Sequence, residues 1–281
     1  MNLFKLTKPR IMLLVLAAGT SALVAEGSMI ADPDRFFIFL LGLFLTGGCA
    51  NAMNQYFERH IDTKMKRTSG KRPLPQNKIT PGQALIFSIL IGAGGVVLLA
   101  SAFNLLTGTL ALSTILFYGL LYTLWLKPRT SQNIVIGGIA GAMAPVGAWT
   151  AATGSTALLP WIMFLLIFLW TPPHFWSLAL CFRDDYVKAN LPMMPVVKGD
   201  NKTLNLILFY TIITVCVTFA PLFISFSRIY LCFSLVFGTI FIYKSFMAKR
   251  KKCRSRYRGL FQYSIVYLFA MLSALAFVDV I

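Results

Sequence analysis

Nine apolar runs, each long enough to cross a bilayer, constrain what this chain can fold into. A membrane-spanning helix needs about 20 mostly apolar residues, and a backbone surrounded by lipid must hydrogen-bond to itself. The runs therefore predict an all-α, polytopic membrane protein, with about nine transmembrane helices forming a bundle and a single domain over residues 1–281. They lie near residues 11–31, 36–55, 84–104, 107–126, 133–152, 157–180, 204–224, 228–247 and 260–279.

The composition excludes the main alternatives to a membrane fold. Of the 281 residues, 57% are apolar and only 12% are charged, whereas soluble globular domains carry about 25% charged residues. So few charges cannot cover a soluble domain of this length, and so many apolar residues exclude a disordered chain. The first apolar run is too long for the core of a secretory signal peptide, so we interpret it as the first span.

The net charge of +17 would fit a nucleic-acid partner, but the placement of the charges indicates a membrane instead. If the N-terminus lies in the cytoplasm, 24 of the 26 Lys and Arg residues fall on the cytoplasmic side of the predicted spans, and only Arg35 and Arg228 fall outside. Positively charged loops stay in the cytoplasm. The pattern predicts a multi-pass cell-membrane (inner-membrane) protein with its N-terminus inside, its C-terminus outside and membrane lipid, rather than nucleic acid, as its partner.

Three of the predicted cytoplasmic loops are long, at about 56–83, 181–203 and 248–259. Long loops in an otherwise compact chain are usually functional or disordered. The first two loops begin with acidic residues close to the end of a span. We therefore expect the functional site at these two loops.

The first acidic cluster has the spacing of a metal site. Asn54, Glu58 and Asp62 are four residues apart, so on a helix their side chains share one face. Two carboxylates and an amide oxygen are hard ligands that suit Mg²⁺. The alternative is a helix end at which Glu58 and Asp62 merely pair with Arg59 and Lys66. Acidic groups at membrane depth are costly, which favours the functional interpretation.

Further charged residues near the two loops fit a phosphate ligand. Arg67, Lys71 and Arg72 follow the first cluster, and such side chains neutralise phosphate oxygens. Asp184 and Asp185 end the sixth run on the same predicted side. Two acidic sites facing each other across one opening would hold magnesium ions on a diphosphate, whereas the alternative makes Asp185 a solvated surface charge.

The sixth run contains an unusual polar break. Pro172 and Pro173 remove two backbone donors within a span, which predicts a break in the hydrogen-bond ladder and a kink toward a cavity. His174 follows them, between Trp170 and Trp176. These side chains either face a ligand or form ordinary core packing, with His174 as a satisfied buried polar group.

Two stretches, NQYFERHIDTKMKRTSGKRPLP (54–75) and WTPPHFWSLALCFRDDYVKANLPMMPVV (170–197), resemble the signatures of the protoheme IX farnesyltransferase family, within the UbiA-type superfamily of intramembrane prenyltransferases. Residues 6–14 and 256–279 also resemble that family, so the resemblance spans the chain. It implies a nine-helix bundle around a central cavity, with the site under the cytoplasmic loops after helices 2 and 6.

The resemblance also implies a reaction: transfer of a farnesyl group from farnesyl diphosphate to a vinyl group of haem B, giving haem O for terminal oxidases, with a haem-modifying enzyme or an oxidase as a partner. The residues themselves, apart from the resemblance, predict Mg²⁺ as the cofactor and His174 and Trp176 as haem contacts, because histidine is the usual haem ligand and an aromatic pair suits a flat macrocycle. The predicted metal ligands are Asn54, Glu58, Asp62, Asp184 and Asp185, of which Asn54, Glu58, Asp62 and Asp185 are also the predicted catalytic residues. The predicted diphosphate ligands are Arg67, Lys71, Arg72 and Lys188, because the charge of the leaving diphosphate must be neutralised.

The sequence departs from the wider superfamily in two places. In the superfamily's first motif, N-D-x-x-D-x-x-x-D, Gln55 stands here for the first Asp and Glu58 for the second. Its second motif is D-x-x-x-D, and here Phe182 and Tyr186 occupy those positions. The resemblance therefore implies fewer carboxylates on the second side of the site.

Three other functions fit parts of the pattern. A quinone-pathway aromatic prenyltransferase would share the fold, the metal and the diphosphate, and would differ in its acceptor. A transporter usually places charged groups near the bilayer midplane, whereas the acidic residues here lie at one membrane edge. An electron-transfer subunit would need paired haem-ligating His, and the only other histidine, His60, lies in a loop.

Overall fold

The computed structural model describes residues 2–275, and within this range it contains helices and no strand. Nine helices in the described residues are long and apolar enough to cross a membrane. The all-α, polytopic fold predicted from the apolar runs is thereby confirmed. In chain order they are α1 (Pro9–Glu26), α2 (Pro33–Phe57), α3 (Pro81–Ala102), α4 (Leu105–Leu126), α5 (Asn133–Thr153), α6 (Leu158–Cys181), α7 (Gly199–Phe223), α8 (Arg228–Lys251) and α9 (Arg254–Leu275).

Three of these helices change character along their length. In α4 the α-helix ends at Leu116 and a π-helix continues over Phe117–Leu126. Helix α5 consists of two α-helical parts, and α7 ends in a 3₁₀ turn. Short helices lie between the long ones at Asn2–Leu6, Ser28–Ala31, Arg59–Asp62, Lys66–Ser69, Arg183–Lys188 and Met194–Val197.

Local signals set the helix ends and explain where the predicted boundaries were wrong. The first span was predicted to reach residue 31, but α1 ends before Gly27, whose φ of +94° suits glycine. The long loop predicted at 248–259 is only a two-residue gap, Lys252 and Cys253. Basic residues continue the helices on both sides of it, because Lys and Arg are good helix formers that an apolar count overlooks. Residues 276–279 of the ninth predicted span lie outside the described range.

Helix α6 runs through Pro172 and Pro173 as one helix, so the two missing backbone donors do not end it, and the predicted kink toward a cavity stays a prediction. Membrane helices tolerate proline where neighbouring groups compensate. Helix α6 also packs against α5, α7 and α9, so its position is fixed by tertiary contacts on several sides.

One end of the bundle gathers the N-terminal segment and the connections after α2, α4, α6 and α8, and we call it the loop end. Lys8 contacts Asn54 and Lys127 contacts Glu58. The Arg254 guanidinium lies 5.6 Å from the ring centre of Phe182. The segments that carry most of the basic residues therefore share one end, as the charge distribution predicts. That this end faces the cytoplasm stays a prediction.

Small residues allow α2 and α3, which form the most extensive helix pair, to approach closely. A Cβ atom on Gly95 would lie 2.8 Å from Thr46 Cγ2, 2.9 Å from Leu45 Cβ and 3.1 Å from the backbone nitrogen of Thr46. On the neighbouring Gly94, a Cβ atom would meet nothing within 4 Å. The two glycines thus provide a matched pair.

We expect Gly95→Ala to destabilise the protein by about 1–3 kcal/mol, because α3 must move away from α2. Gly94→Ala should leave stability unchanged or raise it slightly, because alanine favours helix. Thermal unfolding of the two variants in detergent measures the difference. Equal unfolding temperatures would show that the close approach of α2 and α3 is not needed.

Candidate functional site

The C-terminal end of α2 carries the first acidic cluster into a buried position. Asn54, Glu58 and Asp62 are only 2%, 3% and 1% exposed. The long helix ends at Phe57, but the Glu58 N–H donates to the Asn54 carbonyl at 3.0 Å and the Asp62 N–H to the Glu58 carbonyl at 2.8 Å. Helical spacing thus persists into the short helix Arg59–Asp62, and the three side chains converge as predicted.

Each of these three side chains meets a cation from a different part of the chain. Lys8 Nζ donates to Asn54 Oδ1 at 2.8 Å. Lys127 Nζ pairs with Glu58 Oε1, and Arg72 Nη1 pairs with Asp62 Oδ2. Arg72 Nη1 also lies 3.6 Å from Glu58 Oε2. We call Asn54, Glu58, Asp62, Lys8, Arg72 and Lys127 the ion-pair cluster.

The alternative in which Glu58 and Asp62 pair with Arg59 and Lys66 was wrong. The Arg59 guanidinium instead donates to the Tyr56 carbonyl and lies over the Tyr56 ring. Lys66 is exposed. The carboxylates therefore bind cations distant in sequence, which makes the cluster a tertiary structure rather than a local helix end.

Opposite charges keep Glu58 and Arg72 ionised despite burial, whereas burial raises the pKa of Asp62. Burial alone would raise the pKa of Glu58, but the charges of Lys127 and Arg72 reverse this and lower it. Burial would lower the pKa of Arg72, and the charges of Asp62 and Glu58 raise it instead. Burial and the nearby charge of Arg72 hold the pKa of Lys8 well below its usual range. Three basic side chains, Lys8, Arg72 and Lys127, meet two carboxylates, so basic groups outnumber acidic groups in the cluster, which favours an anionic ligand.

The π-helical half of α4 contributes groups that sequence reasoning missed. The Thr123 hydroxyl accepts from Asn54 Nδ2 at 3.3 Å and donates to the Tyr118 carbonyl at 2.7 Å, five residues back. The rings of Tyr118 and Tyr122 stack at 4.9 Å. Lys127 follows at the end of the same segment. π-helices occur often at functional sites, but neither Lys8 nor Lys127 carried a sequence signal, because each stands alone beside a span.

The loop after α6 reaches the loop after α2 through Asp185. Its Oδ2 accepts from the backbone N–H of Arg67 at 3.0 Å. The Arg67 guanidinium lies 3.4 Å from the Tyr186 hydroxyl and over the Tyr186 ring. Asp185 is buried and Asp184 is exposed. Asp185 is therefore not the solvated surface charge of the alternative interpretation.

Glu58 and Asp62 do not combine with Asp184 and Asp185 into one metal-binding centre of several carboxylates. Within residues 2–275, no three His, Cys, Asp or Glu side chains lie together as a metal-binding group. The oxygens of Asn54, Glu58 and Asp62 nevertheless fit Mg²⁺, which commonly takes one or two carboxylates and fills its other positions with water and substrate phosphate. The described geometry thus favours the first cluster as the metal site.

A separate cavity of about 400 Å³ lies beside the loop after α6, and we call it the basic cleft. Of the predicted diphosphate ligands, Arg72 belongs to the ion-pair cluster, Lys188 lines the basic cleft and Lys71 is exposed on the surface. The lining residues of the basic cleft are Lys66, Leu180, Cys181, Phe182, Arg183, Asp184, Asp185, Lys188 and Arg254.

His174 and Trp176 lie within the helix bundle. His174 stacks on Trp170 and on Phe261, with ring centres 4.2 and 4.6 Å apart, and its Nδ1 lies 2.8 Å from the Ser264 hydroxyl. Trp176 is fully buried. These contacts are those of a satisfied core histidine, so they favour the structural alternative over the prediction of a haem contact.

Comparisons with known proteins agree with this fold. The UbiA prenyltransferase family matches residues 12–275. A protoheme IX farnesyltransferase of Synechocystis sp. is 43% identical over 98% of this chain and 87% of its own length. Another, from Rhodopseudomonas palustris, is 44% identical over 96% of this chain and 87% of its own length.

Solved structures show the same fold at low sequence identity. A digeranylgeranylglyceryl phosphate synthase superposes with a TM-score of 0.80 at 18% identity, covering 98% of this chain and 96% of the other. A UbiA homologue from Archaeoglobus fulgidus, bound to DMAPP and Mg²⁺, superposes with a TM-score of 0.67 at 16% identity, covering 97% and 99%. The chain therefore belongs to the UbiA prenyltransferase family of membrane transferases. Within that family, the relatives at 40–44% identity are protoheme IX farnesyltransferases.

We expect His174→Ala to lower stability by about 1–3 kcal/mol, because it removes three ring contacts, with Trp170, Phe175 and Phe261, and a buried hydrogen bond. Haem affinity, followed by optical titration of the purified variant, should stay at the parent's value. Ser264→Ala removes only the hydrogen bond and provides the milder control. Weaker haem binding by a stably folded His174 variant would support the prediction that His174 contacts haem.

Proposed function

We propose that the protein transfers the farnesyl group of farnesyl diphosphate to a vinyl carbon of haem B. In this reaction the bond between farnesyl C1 and oxygen breaks, and its electron pair leaves with diphosphate. A carbon–carbon bond forms between C1 and the vinyl group. Water captures the resulting cation beside the ring and loses a proton, so the products are haem O and diphosphate.

The main structural support for this proposal is the ion-pair cluster. Transfer of an allylic group requires that the negative charge growing on diphosphate be stabilised. The cluster offers more basic than acidic side chains and a set of buried oxygens at the loop end of a membrane bundle. The choice of haem B as the acceptor is supported by the relatives named protoheme IX farnesyltransferase, which match nearly the whole chain.

We assign separate roles to the oxygens and the cations of the cluster. Asn54, Glu58 and Asp62 hold Mg²⁺, which when bound neutralises charge on the leaving diphosphate. Arg72 and Lys127 bind phosphate oxygens, for which they exchange their present carboxylate partners. Their full charges make these hydrogen bonds about twice as strong as neutral ones.

Other residues support this site from the sides. Asp185 positions Arg67 by accepting its backbone N–H, which keeps the loop after α2 in place. The stacked rings of Tyr118 and Tyr122 shield the cluster from the bundle side, and the farnesyl tail occupies the apolar interior. Exclusion of water there protects the allylic cation from early hydrolysis.

The cellular setting follows the charge distribution. We place the loop end on the cytoplasmic side of the inner membrane, where farnesyl diphosphate is soluble and the basic segments meet anionic lipid. A haem-modifying enzyme or a terminal oxidase would receive the product. This orientation is supported by the 24 basic residues that share one side of the spans.

The proposal is tested by incubating the purified protein with haem B, farnesyl diphosphate and Mg²⁺ and analysing the extracted haems by mass spectrometry. A parallel reaction contains a hydroxybenzoate in place of haem B. We expect haem O in the first reaction and no prenylated product in the second. Prenylated hydroxybenzoate without haem O would assign the protein to the quinone pathway.

We expect Asp62→Asn to reduce turnover at least 10–100-fold, the effect typical of a disturbed metal site. Mn²⁺ binding, measured by electron paramagnetic resonance, should weaken in parallel and gives a readout that does not depend on turnover. A thermal melt checks that the variant is folded. Normal metal binding by the variant would remove Asp62 from the proposed ligand set.

We expect Lys127→Met to raise the KM for farnesyl diphosphate and to lower kcat, because phosphate charge increases toward the transition state. Arg72→Ala should act in the same way, and haem affinity should be unchanged in both variants. Arg129→Ala is the matched control. Arg129 lies two residues after Lys127, but its guanidinium contacts the carbonyls of Leu124 and Trp125 and the Trp125 ring instead of the cluster. A defect in haem binding alone would mean that the cluster serves the acceptor.

A further inference from the structure

We propose that the basic cleft binds the propionate carboxylates of the haem acceptor. This inference rests on the proposed function and adds a separate recognition site for the second substrate. The cleft lies between the loop after α2, the loop after α6 and the start of α9. Its cations are Lys66, Arg183, Lys188 and Arg254.

The cations of the basic cleft outnumber its available acids. Two acids, Asp184 and Asp185, line the cleft together with the four cations. Asp185 already accepts the Arg67 N–H, and Arg183 lies 3.8 Å from Asp200. In the described part of the chain, Lys66, Lys188 and Arg254 form no ion pair with a carboxylate. Positive side chains that converge on a concave surface without internal partners concentrate anions there.

The apolar residues of the cleft favour a carboxylate attached to a flat apolar body. Leu180, Cys181 and Phe182 are the apolar residues of an otherwise polar lining, and the Phe182 ring lies 5.6 Å from the Arg254 guanidinium and 5.9 Å from that of Arg67. A phosphate group alone would use the cations but not these apolar residues. The propionate edge of a porphyrin uses both, because each carboxylate stands two carbons away from the aromatic macrocycle.

The position of the cleft also fits the chemistry of the reaction. The propionates and the vinyl groups occupy opposite edges of the haem macrocycle, so an anchored propionate edge turns a vinyl edge away from the cleft. The link between Arg67 and Asp185 joins the cleft to the loop that carries Asp62 and Arg72. Two anionic substrates that react with each other need two sets of cations, and the ion-pair cluster and the basic cleft supply them.

The test compares haem B with its dimethyl ester, in which both propionates are neutral, by optical titration in phosphatidylcholine nanodiscs that contain no anionic lipid. We expect the parent protein to bind haem B about tenfold more tightly than the ester, because the ester cannot make the charge-assisted contacts of the propionates. The double variant Lys188→Ala, Arg254→Ala should bind both forms as the parent binds the ester. Lys251→Ala, which removes an exposed cation at the end of α8, is the control and should behave as the parent.

The outcomes separate this inference from the proposed function. Equal affinity of the parent for haem B and its ester would overturn the inference, whatever the variants do. A raised KM for farnesyl diphosphate in the double variant, with unchanged haem affinity, would also overturn it and would assign the cleft to diphosphate. Cleft-dependent haem binding without formation of haem O would support the cleft and overturn the proposed reaction.

Discussion

The pairing of two buried carboxylates with distant cations holds the loop end of this protein together. An ionised carboxylate that is removed from water costs several kcal/mol unless a charge and hydrogen bonds compensate it. Glu58 and Asp62 are compensated by Lys127 and Arg72, and Asn54 accepts from Lys8. No single helix supplies the site, so the helices must assemble before the site exists.

The same pairing prepares the site for a charged substrate. Cations that already converge on a buried point need little rearrangement to bind phosphate oxygens, and such preorganisation is a main source of catalytic electrostatics. The energy that would be lost if one partner of a buried pair were missing is about 3–5 kcal/mol. In the proposed function, Arg72 and Lys127 would exchange carboxylate for phosphate oxygens, which would avoid that loss.

The sequence predicted the parts of the structure that depend on local pattern. Hydropathy located nine spans, because an apolar run of about 20 residues has few alternatives. A spacing of four predicted that Asn54, Glu58 and Asp62 converge. It could not predict the partners, since Lys127 lies 69 residues from Glu58 and Lys8 lies 46 residues from Asn54. No local periodicity connects residues so far apart.

Other differences arise where tertiary packing overrides a local rule. Proline is a helix breaker in an isolated chain, yet α6 continues through Pro172 and Pro173 because three neighbouring helices fix its path. His174 resembled a ligand because of its polar type and its place beside these prolines. Its aromatic neighbour Phe261, however, belongs to α9 and lies 87 residues later in the chain. The residues near His174 in sequence could not predict this contact.

The π-helix in α4 has a consequence for how this chain is aligned with others. A π-helical turn contains about one residue more than an α-helical turn, so Phe117–Leu126 behaves as an insertion hidden within a helix of normal outline. The wider winding absorbs the extra residue, so Lys127, beyond the π-helix, still reaches Glu58 at the loop end. An alignment that allows no gap within helices would therefore assign the role of Lys127 to the wrong column.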